Sequence, residues 1–184
     1  MTVVVGASTA AAVETLVRTL PERGELVLVI ACPTEPALAD RLAAVSPWPV
    51  VVARGRVALE PDRIYVLPAD GEGAFQRGEL LVTNSNDPRP PIDRLLRSLA
   101  EEHGAQGAGV LLDGQGDDGL IGIKQLKEAG GLTILQIPGG SEAAGVVDMV
   151  LDLAAIAPRL AAIVRDQRGP ATDARSRTGS TAWS

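Results

Sequence analysis

Residues Val3 to Val17, VVVGASTAAAVETLV, run from three β-branched residues through Gly6 and a hydroxyl at Ser8 into an alanine-rich apolar pattern of helical period. That order predicts a strand, a tight turn and a helix, and it commits the chain to placing Ser8 at the carboxyl end of a strand. Two roles are open to Ser8. Its side-chain oxygen can cap the helix by accepting an otherwise unpaired N–H of the first turn. The same geometry also exposes an Oγ beside backbone N–H groups and the positive end of the helix dipole, where a nucleophile and an oxyanion site can coexist.

The alternation continues downstream. GELVLVIA (Gly24 to Ala31) reads as a second buried strand, and Thr34 is the expected cap of a helix from Glu35 to Val45. PVVVA (Pro49 to Ala53) is a third strand. IYVLP (Ile64 to Pro68) and GELLVT (Gly78 to Thr83), bracketed by turn residues, read as an antiparallel hairpin at an edge. After a proline-rich loop, Ile92, Leu95, Leu96 and Leu99 mark one face of a helix ending at His103, with Gly104 as its C-cap. The strand Ala108 to Leu112 leads through DGQGDDG into a helix from Leu120 to Ala129. LTILQI, the connector PGGSEAAG, a strand from Val146 to Leu151 and a helix from Ala154 to Arg165 follow. Residues 1–165 are expected to form one domain, and the polar stretch 166–184 a disordered tail.

Such a pattern predicts an α/β fold: a doubly wound, mostly parallel sheet with helices on both faces and an antiparallel edge hairpin. Composition agrees, because 46% hydrophobic residues with only 2% aromatics leave Val, Leu, Ile and Ala to fill a core covered on both sides. A net charge of −6, with no Lys/Arg cluster, argues against nucleic acid. The single cysteine, Cys32, excludes an internal disulfide. No secretory signal and no apolar run long enough to span a bilayer is present, so a cytoplasmic protein without membrane insertion is expected.

In a sheet of this kind function gathers in the loops at the carboxyl ends of the strands. Ser8, residues 31–34 and the turn Asp113 to Gly119 all fall there. The turn holds three carboxylates, Asp113, Asp117 and Asp118, but the other two loops bring no ligand, so no metal is assigned. By residue type Asp117 or Asp118 caps the following helix. GASTAA lacks the second and third glycines of a dinucleotide fingerprint, and no cofactor is expected.

The set VVVGASTAA, VLVIACP, PPIDRLLRSLA, VLLDGQGDDGLIGIKQLKEAGGLTILQ and VVDMVLDL resembles, in order and spacing, the catalytic domain of the chemotaxis protein-glutamate methylesterases, the CheB family. The likeness covers Val3 to about Ala157, and the Gly- and Asp-rich segment with its helix is its most specific part. It implies a serine hydrolase acting on glutamyl methyl esters of chemoreceptors. Ser8 matches the nucleophile and Asp118 the orienting carboxylate, with Thr9, Gln115 and Gly116 matching substrate-contacting positions. Its implied partners are chemoreceptors or other chemotaxis-like signalling proteins. Family members usually carry an N-terminal receiver domain, and this chain begins at the first strand, so the expectation is that such control is absent, or comes from a separate receiver domain protein or from a longer parent protein.

The chain departs from that family where it matters most. The histidine position of the second motif is Ala31, which cannot take a proton. Cys32 beside it points to the other face of its strand and is read as a small core residue. His103, the only histidine, falls at the opposite edge of the sheet and is expected to be a helix-end residue facing the dipole. Ala10 and Ala11 replace the family's glycine pair, Gln115 its methionine, and the segment before VVDMV is short. The expectation is a binding or regulatory pseudoenzyme. The alternatives are an active esterase using Ser8 with an unidentified base, and a binder of a small anionic ligand.

Overall fold

A computed structural model of the chain describes residues 1–84, 91–112, 118–136 and 145–168. Val3, Val4 and Val5 are all fully buried, and they open β1 (Thr2–Gly6), the middle of a sheet that is covered on both faces. Five strands continue it: β2 (Val27–Ala31), β3 (Val50–Val52), β5 (Arg63–Val66), β8 (Gly107–Leu111) and β9 (Leu132–Gln136). A short β10 (Met149–Leu151) completes a seven-stranded sheet of order β10-β9-β8-β1-β2-β5-β3, with every pairing parallel. Each parallel crossover needs a covering element.

On one face lie α1 (Ala10–Arg18), α2 (Leu38–Ala43) and α5 (Leu153–Arg168), packed on Val3, Val5, Leu28, Ile30 and Ile134. On the other, α3 (Pro91–His103) and α4 (Leu120–Glu128) cover Val4, Val29 and Leu135. The side-chain alternation of a strand thus feeds two separate cores, as expected for a parallel sheet. The apolar stripe of α3 is buried as its spacing requires, with Leu95, Leu96 and Leu99 at 0% exposure.

The antiparallel part differs from the expected edge hairpin. IYVLP is no hairpin arm: β5 lies inside the parallel sheet, between β2 and β3. The antiparallel element is a separate three-stranded sheet of β4 (Gly55–Ala58), β6 (Gly71–Gln76) and β7 (Glu79–Asn84), in the order β4-β7-β6. GEGAFQ carries a weak strand signal because two of its six residues are glycine. Packing demands one of them: a Cβ on Gly73 would lie 3.0 Å from Leu67 Cδ1 and 3.1 Å from Leu95 Cδ1. Seating Phe75 N–H on the Ser98 hydroxyl at 3.0 Å then ties this sheet to α3.

Boundaries shift elsewhere by a few residues. The tail 169–184, most of the PGGSEAAG connector and the loop 85–90 lie outside the described residues. Among the described residues no helix is long and apolar enough to cross a membrane.

Candidate active site

Chain order reverses at β1: its neighbour on one side is β2, and on the other β8, which arrives only after the whole antiparallel excursion. The crevice beyond the carboxyl ends of β1 and β8 is where a doubly wound sheet offers a site. Gly6, Ala31 and Leu111 are level with one another in the register of the three strands. The level is held just beyond the strand ends as well, with Ala7 N–H donating to the Ala31 carbonyl at 3.1 Å and Leu112 N–H to the Gly6 carbonyl at 2.9 Å. Neighbouring strands are about 4.8 Å apart, so the loops carrying Ser8, residues 31–34 and Asp118 leave the sheet within roughly 10 Å of one another.

Ser8 is exposed, but it is not the helix cap that local sequence suggests. Helix α1 starts at Ala10, Thr9 occupies the N-cap position, and the Thr9 side chain makes no capping hydrogen bond. Thr34 is not the cap of α2 either, because that helix begins only at Leu38. Instead Thr34 Oγ1 donates to the Ser8 carbonyl at 2.7 Å, joining the β2–α2 loop to the serine turn. Arg41 reinforces the junction at the surface, with Nε 2.6 Å from Glu14 of α1 and Nη1 3.4 Å from Glu35 of the loop.

Asp118 is half-buried, and it too caps a helix other than the one that follows it. Its Oδ1 accepts the Asp93 N–H at 3.0 Å and its Oδ2 the Ile92 N–H at 3.3 Å, so it closes the N-terminus of α3. Helix α4 has Gly119 at its cap position, at φ 99°, and its Gly122 N–H goes to Asp93 Oδ1 at 2.7 Å. A Cβ on Gly6 or on Gly119 would strike the same Ile92 and Leu111 side chains, at 2.7 to 3.1 Å. The β1 end and the Asp118 turn therefore close on one shared apolar contact. Asp93, 8% exposed, also belongs to this edge, although the sequence analysis gives it no role; its signals there are its place in the PPID segment and an acid at the third position of a helix opened by Pro91.

Burial raises the Asp118 pKa and the Asp93 charge adds to the rise, against two backbone hydrogen bonds that lower it. A carboxyl whose folded pKa is raised contributes stability below its unfolded pKa and loses it as pH rises through the folded value. Asp118→Asn keeps one acceptor oxygen for α3 and removes the charge. Its melting temperature is expected to equal or exceed that of the native chain at pH 7, with the advantage gone by pH 3. A larger deficit at pH 7 than at pH 3 would mean that the charge strengthens the amide bonds more than burial penalises it.

Ala31 is 2% exposed and packs in the α3-side core with Val29, Leu67 and Ile92, whereas Cys32 packs in the opposite core. The alanine at position 31 cannot accept a proton. His103 stands at the far end of α3, about 15 Å along that helix from the Asp118 contact. Its ring meets Phe75 edge-on at 5.3 Å, and its buried Nε2 has no hydrogen-bond partner among the described residues. Burial lowers its pKa against the opposing pull of Glu102, which disfavours the charged form that the carboxyl end of a helix would favour.

The CheB methylesterase family model matches residues 3–163. The chain belongs to the CheB methylesterase family. Protein-glutamate methylesterase/protein-glutamine glutaminase 3 of Anaeromyxobacter dehalogenans is 38% identical over 138 residues, covering 67% of this chain and 40% of its own length. The corresponding protein 6 of that organism is 35% identical over 195 residues, covering 91% of this chain and 55% of its own. The chain thus spans about half the length of these curated CheB relatives. The solved CheB methylesterase catalytic domain of Thermotoga maritima superposes with a TM-score of 0.77 at 26% identity, over 88% of this chain and 97% of that one.

Gln115, Gly116, Asp113 and Asp117 lie outside the described residues. Among the described residues no group of three or more His, Cys, Asp or Glu side chains is placed to hold a metal.

Proposed function

We propose that residues 1–165 are a CheB-type protein-glutamate methylesterase domain that has kept the serine turn and lost its base, and that it works as a binding or regulatory pseudoenzyme in a chemotaxis-like signalling system. In this reading Ser8 stands in the nucleophile position, Asp118 in that of the orienting carboxylate, and Thr9, Gln115 and Gly116 line the substrate side. Partners are chemoreceptors or related cytoplasmic signalling proteins.

One observation carries the reading: the side chain at the end of β2, level with the β1 end that presents Ser8, is a buried methyl group. Serine hydrolysis needs a group that removes the Oγ proton as the oxygen attacks. Losing one member of such a set costs about 10⁴ to 10⁶ in rate, leaving what positioning and backbone N–H donors supply. A turn without its base can still hold an acyl side chain in place.

The relatives are named protein-glutamate methylesterases and protein-glutamine glutaminases, so a methyl-glutamyl receptor peptide is the substrate to try. The intact chain is to be compared with Ser8→Ala and with the Thermotoga catalytic domain as positive control. Methanol release above the blank is expected only from the control. Release by the native chain that disappears in Ser8→Ala would replace this reading with that of an active esterase whose base comes from elsewhere. The Thr34 bond to the Ser8 carbonyl favours that second reading, since it holds the serine turn in a single arrangement.

A further inference from the structure

We propose that Asp93 is the positioning residue of this site: Asp93 and Asp118 form a reciprocal clasp between the first turns of α3 and α4, and this clasp sets the direction of the Asp118 carboxylate. The inference rests on reading Asp118 as the carboxylate of the site and deepens that reading.

The first turn of a helix has N–H groups without partners inside the helix. In α3, Pro91 has none to offer, and those of Ile92 and Asp93 both go to Asp118. In α4, the Gly122 N–H goes to Asp93. Each helix is therefore capped by an acid anchored at the start of the other. Local cap motifs place the acid a few residues from the amide it serves. Here the separations are 25 to 29 residues, and the caps work only when α3 and α4 lie together.

Two features show how little freedom the clasp leaves. Gly122 is so close to α3 that an added Cβ would be 2.7 Å from the Asp93 carbonyl oxygen. Asp93 is almost fully buried, so releasing the Gly122 N–H would strand a buried carboxylate. To swing away from α3, Asp118 would have to give up both amide bonds at once. Only lone pairs not taken by these amides are offered to a partner. Its orientation is thus set by the helices and does not depend on the residue at position 31. That independence accounts for a site geometry that persists in a chain with alanine in the base position.

The test uses the intact chain, with the Asp118 carboxyl followed by carbon NMR and its resonance assigned by its loss in Asp118→Asn. Asp93→Asn keeps an acceptor oxygen for Gly122 and removes a neighbouring negative charge. It should leave Gly122 and Ile92 amide protection intact and move the Asp118 titration to lower pH. Asp93→Ala removes the acceptor and should speed amide exchange at Gly122 and Ile92 about tenfold, the scale of one lost hydrogen bond. It should also carry Asp118 toward the ordinary carboxylate range. Unchanged Asp118 titration in both variants would overturn the proposal. If Asp93→Ala does not fold, an unchanged titration in Asp93→Asn alone overturns it. Neither readout involves turnover, so a failure of the esterase lineage reading would leave this result standing and the reverse also holds.

Discussion

Replacing Ala31 with histidine is expected to raise the rate at which an active-serine phosphonate labels Ser8 by on the order of 10²-fold, the lower end of what a positioned general base contributes. The reasoning starts from register. Position 31 ends β2 level with Gly6 and Leu111, and its side chain points to the α3 side of the sheet, the side on which Asp118 is fastened. An imidazole there is introduced level with the β1 end that presents the serine turn and on the face where Asp118 is fastened. Two effects hold the gain down. The position is 2% exposed, so the larger ring must be accommodated at a cost of about 1–3 kcal/mol. Gln115 and the short segment before VVDMV also remain as departures from the family pattern. Ala31→Val is the control, adding bulk without a base, and should label no faster than the native chain. Labelling as fast as that of the Thermotoga domain would show that the site lacks one residue and nothing else. No gain, with the fold retained, would mean that erosion reaches beyond position 31.

The sequence was informative wherever an element's signal is internal to the element. Val3 to Val5 and the run Leu26 to Ala31 are apolar throughout because both faces of the sheet are covered. The leucine spacing of α3 stands out because one face alone is buried. Strand β6 has little strand signal of its own because glycines weaken it, although at Gly73 the small residue is required by Leu67 and Leu95. Strand β5 was given the wrong partner because a strand's sequence does not say which neighbour it joins. The capping residues failed for a related reason. Ser8, Thr34 and Asp118 all carry the oxygens that caps need, yet none caps the helix beside it in sequence. Thr34 reaches back to the Ser8 carbonyl and Asp118 reaches across to α3. A local motif can find an acceptor, but which donor it serves is decided by packing between helices far apart in the chain. For the same reason the absence of a histidine at position 31 was visible in the sequence, while the importance of Asp93 was not.

Gly122→Ala is the substitution expected to cost the fold most for the least added volume. In an exposed helix interior, alanine in place of glycine gains about 1 kcal/mol from propensity. Here the added Cβ would sit 2.7 Å from the Asp93 carbonyl oxygen, 2.7 Å from Leu96 Cβ and 3.0 Å from Asp93 Cα. None of these atoms is the end of a flexible side chain, so relief comes only by moving α3 away from α4. That movement lengthens the Gly122 to Asp93 bond and the two bonds from α3 to Asp118, so overpacking is joined by the loss of caps. Summing about 1–3 kcal/mol for the first and about 1 kcal/mol for each weakened cap, less the propensity gain, gives an expected loss of about 2–4 kcal/mol. Urea unfolding should show it as a lowered midpoint at unchanged slope. Gly145→Ala is the control, because a Cβ there meets nothing within 4 Å among the described residues, and its effect should stay within about 0.5 kcal/mol. A gain in stability for Gly122→Ala would mean that the two helices can part without penalty. The clasp that holds Asp118 would then be a consequence of their contact with no part in enforcing it.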